Sequence, residues 1–125
     1  MSGMVKMQFA EIDELKEYPK GSATVVEIGG AEVYRLTFEP GWRYIEHAAP
    51  IEGTDSCLAP HILCTVSGRL GVKMVDGSTA EVGEDECIVI PPGHDAWTVG
   101  DAPYICFDLG PQIYEHLIDG ASGKE

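Results

Sequence analysis

At 125 residues, 44% of them hydrophobic, the chain is long enough to bury a core without staples, and a disordered body is excluded. With 21 acidic residues against 8 basic, a net charge of −13 repels phosphate backbones and anionic bilayers, which argues against nucleic-acid and membrane partners. No run of about 18 apolar residues marks a span, and no basic-then-apolar leader opens the chain. A cytoplasmic location is therefore expected, with Cys57, Cys64, Cys87 and Cys106 as thiols rather than bridges.

Phe9, Ile12 and Leu15 recur at spacing three, which predicts a short amphipathic helix over 9–17, stopped by Pro19 and Gly21. Short runs rich in β-branched and aromatic residues follow at 23–28, 32–39, 42–47, 61–67, 70–75, 79–82, 87–90, 96–99 and 104–109. Gly29-Gly30, Pro40-Gly41, Ser67-Gly68, Asp76-Gly77, Pro91-Pro92-Gly93 and Asp101-Ala102-Pro103 separate them. Asp76-Gly77 is the clearest hairpin, of type I′. Many short strands with regular turn punctuation predict an all-β sandwich or barrel. Pro111 opens a second short helix with Ile113, Leu117 and Ile118 as its stripe; His116 on it is expected to face solvent.

Three of the four histidines sit beside strand corners: His47, His61 and His94. Alternation along a strand puts His61 on one face with Leu63 and Thr65, and Cys64 on the other. By the same parity His47 goes with Arg43 and Ile45, and His94 with Ala96. The spacing Cys57-x3-His61-x2-Cys64 could suggest a structural zinc knuckle, but Cys64 points the wrong way for one.

Gly41-x5-His47, His61-x6-Gly68 and Pro91-Pro92-Gly93, in that order, resemble the two sequence motifs of the cupins over 33–109. The resemblance implies a cupin-type jelly-roll β-barrel, a single domain over 1–125 with its barrel core at about 23–110. The departures bear on function. Ala49 stands in the place of the family's second histidine and His61 in that of its glutamate. About eight residues, 50–57, are inserted into the first motif. Asp85 replaces a glycine, Ala96 falls where a histidine is usual, and His94 lies two residues earlier. The usual three-histidine, one-glutamate site is not intact.

Neutral imidazoles bind divalent transition metals through one ring nitrogen, and three protein ligands with an open position are the pattern of a catalytic metal site. His47, His61 and His94 are the candidate nitrogen ligands for Zn, Fe, Ni or Mn, and Cys57, four residues before His61, a candidate thiolate. Asp55 and Glu46 are candidate partners that fix a tautomer. Arg43 and Trp97 are candidate substrate contacts, the guanidinium suiting a carboxylate; an exposed arginine and a core tryptophan are the plainer readings. A Cys57–His61 nucleophile–base pair is conceivable, but nothing in the sequence orients the imidazole, so no catalytic residue is assigned.

Three readings follow. One is a metal-dependent dioxygenase, lyase or isomerase acting on a small organic acid or similar metabolite. The second is a non-catalytic module binding a small molecule or metal. The third is a barrel whose mouth its own side chains fill. A homodimer is expected, because small open sheets leave edges to cover, with 4–28 as the contact.

Overall fold

The computed structural model describes residues 3–9 and 14–110, with backbone alone for 14–18. Its strands are β1 (Glu14–Tyr18), β2 (Gly21–Ile28), β3 (Ala31–Phe38), β4 (His61–Ser67), β5 (Arg69–Met74), β6 (Thr79–Val82), β7 (Cys87–Ile90), β8 (His94–Val99) and β9 (Tyr104–Asp108). Two single-turn helices, α1 (Tyr44–His47) and α2 (Ala49–Glu52), fall between β3 and β4. A six-stranded sheet runs β1-β2-β3-β9-β4-β7 and a three-stranded sheet runs β6-β5-β8, with every pairing antiparallel.

Alternation decides what is buried. The larger sheet presents Leu36, Leu63, Tyr104 and Cys106 to the interior, and the smaller presents Leu70, Val72, Val82 and Ala96. Removing this apolar surface from water is the main drive for closing the two sheets together. The buried Tyr104 hydroxyl is satisfied by Thr65 Oγ1 at 2.8 Å, and burial holds its pKa far above the ordinary phenol value.

Two predicted elements and one turn type are corrected. The stretch 42–47 is extended only at its start: Thr98 N–H donates to the Trp42 carbonyl, and Arg43 keeps an extended backbone. The chain then turns into α1, because the Asp95 carboxylate on β8 accepts the Ile45 N–H at 3.1 Å and holds the first turn. Residues 14–17, read as the end of a helix, are part of β1. They pair with β2 from Glu14 opposite Val25 to Tyr18 opposite Gly21, so ladder bonds with a neighbour override a local period. The Phe9 ring instead lies 5.3 Å from that of Phe107. The 74–79 hairpin forms, but of Asp76-Gly77 only the glycine takes a positive φ, 95°. Asp76 works through its side chain, accepting the Ser78 N–H at 2.9 Å, so the turn is not type I′. The helix expected after Pro111, His116 with it, lies outside the described residues.

Gly68, between β4 and β5, has φ of 81°, and a Cβ there would stand 2.2 Å from the Pro103 carbonyl oxygen. Gly77 has a similar φ but nothing within 4 Å. Gly68→Ala is expected to cost roughly 3 kcal/mol or more, because clash adds to backbone strain, against about 1–2 kcal/mol for Gly77→Ala. Urea unfolding of the two variants checks this, and equal losses would contradict the close approach.

Candidate metal centre

Four segments bring side chains to one end of the space between the sheets. His61 opens β4, Asp108 closes β9, His94 opens β8, and Cys57 comes from the loop after α2. The loop does not float. Cys57 N–H donates to the His94 carbonyl at 2.7 Å, and the Cys57 carbonyl accepts Gly93 N–H at 2.8 Å and His94 N–H at 3.2 Å. That bridge aims the Cys57 sulfur inward, and the residue is buried.

The donor atoms of Cys57, His61 and His94 all lie within 4.8 Å of one another. Cys57 Sγ is 3.4 Å from His61 Nε2, and the two imidazoles meet edge to face with centroids 5.2 Å apart. Each ring is oriented from behind. His94 Nδ1 lies 2.8 Å from the Pro91 carbonyl, which can only accept, so Nδ1 carries the proton and Nε2 offers a lone pair. His61 Nδ1 lies 2.5 Å from Asp108 Oδ2. The other Asp108 oxygen accepts Ile62 N–H at 3.3 Å and Gly110 N–H at 3.1 Å, so the buried carboxylate is fully engaged.

Charge follows from this packing. Burial disfavours the charged form of both Cys57 and His61, but the pair outweighs it. His61 and His94 hold the Cys57 thiol down at about 6, and Asp108 with Cys57 lifts His61 to about 9. Between those values the metal-free group is a thiolate beside an imidazolium.

The group opens on a cavity of about 340 Å³, a size suited to a small organic ligand. Tyr34, Leu36, Phe38, Trp42, Tyr44 and Leu63 supply much of its wall, and among the described residues no lysine or arginine lines it. Phe38 and Trp42 stack at 3.8 Å and set a flat aromatic side. The Tyr44 hydroxyl is 3.1 Å from Thr54 Oγ1 and in contact with the Cys57 sulfur, and burial raises its pKa.

The other sequence-derived site residues lie elsewhere. His47 turns back onto its own helix, its Nδ1 accepting Arg43 N–H at 3.0 Å, and does not line the cavity. The strand parity that grouped it with Arg43 and Ile45 fails because 44–47 is helical. Arg43 pairs with Asp95 at 2.7 Å and lies 5.4 Å over the Trp97 ring, on the outer face of β8. Neither Arg43 nor Trp97 lines the cavity. Asp55 and Glu46 are not the tautomer-fixing partners; Asp108 and the Pro91 carbonyl are. Asp108 was missed, although it is the one charged residue on the inward parity of Tyr104, Cys106 and Asp108.

No family model and no curated protein sequence matches the chain. Solved structures do. The polyketide cyclase RemF from Streptomyces resistomycificus superposes with a TM-score of 0.61 at 17% identity, over 87% of this chain and 80% of that one. The cupin domain of Schizosaccharomyces pombe Cnp3 gives 0.56 at 12%, over 93% and 80%. A cupin-like protein of Thermotoga maritima gives 0.52 at 17%, over 83% and 80%. The chain has the cupin fold. Within this cupin barrel the metal-type cluster is built from Cys57, His61 and His94, the thiolate coming from the segment inserted into the first motif.

The ionisation has a direct readout. In metal-free protein, alkylation of Cys57 by iodoacetamide, followed by peptide mass spectrometry, is expected to rise as pH climbs through about 6 and to be level by neutrality. In His61→Ala burial dominates again, and the rise moves to or above the ordinary thiol range near pH 8.5. A wild-type rise already centred in that range would contradict the ion pair.

Proposed function

We propose that the chain is a metal-dependent enzyme of lyase or isomerase type, holding one divalent transition metal through Cys57, His61 and His94. The single observation that carries this is the convergence of three donor atoms at one wall of an apolar cavity, with both imidazoles fixed from behind. Such outer partners set the tautomer a metal needs and raise ligand basicity. The spacing fits. A tetrahedral site with sulfur at about 2.3 Å and nitrogen at about 2.05 Å has ligand–ligand edges of roughly 3.5 Å. The 3.4 Å from Cys57 to His61 already spans one such edge. A thiolate with two imidazoles suits Zn or Fe over Mg or Ca.

A metal held by Cys57, His61 and His94 would supply Lewis-acid polarisation of a substrate oxygen. The chain's own residues do the rest. Phe38 and Trp42 offer a flat wall for an apolar or aromatic body. Tyr44, kept protonated by burial and steadied by Thr54, offers a hydroxyl proton beside the sulfur. With Arg43 outside and no lysine or arginine on the wall among the described residues, a carboxylate lacks a guanidinium or ammonium partner there. A mostly apolar, oxygen-bearing metabolite therefore fits better than a small organic acid.

Elemental analysis of protein purified without a histidine tag tests this. About one transition metal per chain is expected, lost in His61→Ala and His94→Ala and retained in His47→Ala. Asp108→Asn is expected to weaken affinity about 10- to 100-fold. Protein that is metal-free, and whose melting temperature ignores added Zn, Fe, Ni and Mn, would overturn the proposal.

A further inference from the structure

Cys64 and Cys87 stand directly opposite each other on β4 and β7. The neighbouring bond, from Thr65 N–H to the Glu86 carbonyl at 3.0 Å, makes this a non-hydrogen-bonded pair. In such a pair the Cα atoms are about 4.5 Å apart and the side chains at their closest, inside the roughly 4.4–6.8 Å that a disulfide spans. Both thiols are free, and the register sets them face to face across the two strands. They lie on the outward parity of the six-stranded sheet, with Cys87 exposed and Cys64 half-buried.

The surrounding backbone can yield. β7 is only four residues long and ends the sheet order, so among the described residues one of its sides carries no strand. β4 carries an irregularity just past Cys64, between Thr65 and Ser67. Local play of this kind lets a cross-strand bridge form and reopen, and exposed bridges are the labile ones. Cys57 and Cys106 are no rivals for it: the first belongs to the inner cluster and the second is fully buried.

We propose that Cys64 and Cys87 form a reversible dithiol–disulfide couple that exchanges with low-molecular-weight disulfides. Cys87, the more accessible, loses its proton and attacks one sulfur of the oxidant. The oxidant's S–S bond breaks, a mixed disulfide forms at Cys87, and the first small thiolate leaves and takes up the proton. Cys64, deprotonated in turn, attacks the Cys87 sulfur. The intramolecular bond forms, and the second small thiolate leaves and is protonated. Two electrons pass from the protein to the oxidant, and two small thiols are the products.

The test treats the full chain with oxidised glutathione, blocks remaining thiols with iodoacetamide and maps the peptides. Wild type is expected to lose alkylation at Cys64 and Cys87, to yield a Cys64–Cys87 linked peptide lighter by two hydrogens, and to recover both thiols in reduced glutathione. Cys64→Ser is expected to stall as a Cys87–glutathione adduct. Stable glutathione adducts on wild type without the linked peptide, linkage through Cys57 or Cys106, or no reaction would each overturn the proposal. The wild-type map alone decides, whether or not the variant folds, and it is independent of metal binding at the inner site.

Discussion

The Asp108 carboxylate is the constraint on which the site depends. It is buried, it closes β9, and it takes the His61 ring on one oxygen and two backbone N–H groups on the other. A buried carboxylate left unpaired would be costly, so these bonds are what allow it to stay. In return it fixes one His61 nitrogen and turns the other toward Cys57. The same residue thus ties β4 to β9 and selects which lone pair the cavity receives.

The second constraint comes from the backbone. The bridge between Cys57 and the Gly93-His94 corner carries the segment inserted into the first motif onto the barrel. Without it the sulfur would belong to a loop, where positions are less exact than on strands. With it, a cysteine distant from β8 in sequence becomes a neighbour of His94. The cluster is therefore the product of two local ties, each involving groups that would be unsatisfied if the other elements moved.

How much of this was legible depends on whether the cause is local. The strands His61–Ser67, Thr79–Val82 and Cys87–Ile90 match the sequence reading, because β-branched and apolar runs mark them and a turn signal stands at one end of each. The parities of His61 with Leu63, and of His94 with Ala96, follow from the same alternation. The helical turn at 44–47 was not legible, since its holder is Asp95, on a strand some fifty residues away. That error placed His47 in the site. The cupin resemblance pointed to the corner of the fold where Cys57, His61 and His94 meet and also to His47, which turns away from the cavity. The motif's second half was shifted, and His94 supplies an imidazole from the strand start all the same. Asp108 carried only a parity signal, which gains meaning once β9 is known to lie beside β4.

The central claim is that sulfur and two imidazole nitrogens converge on one metal. Cobalt(II) titration of metal-free protein reports this directly. The account predicts saturation near one equivalent, with a near-ultraviolet sulfur-to-cobalt charge-transfer band that Cys57→Ser abolishes. Cobalt bound without that band, or a band that survives Cys57→Ser, would contradict it.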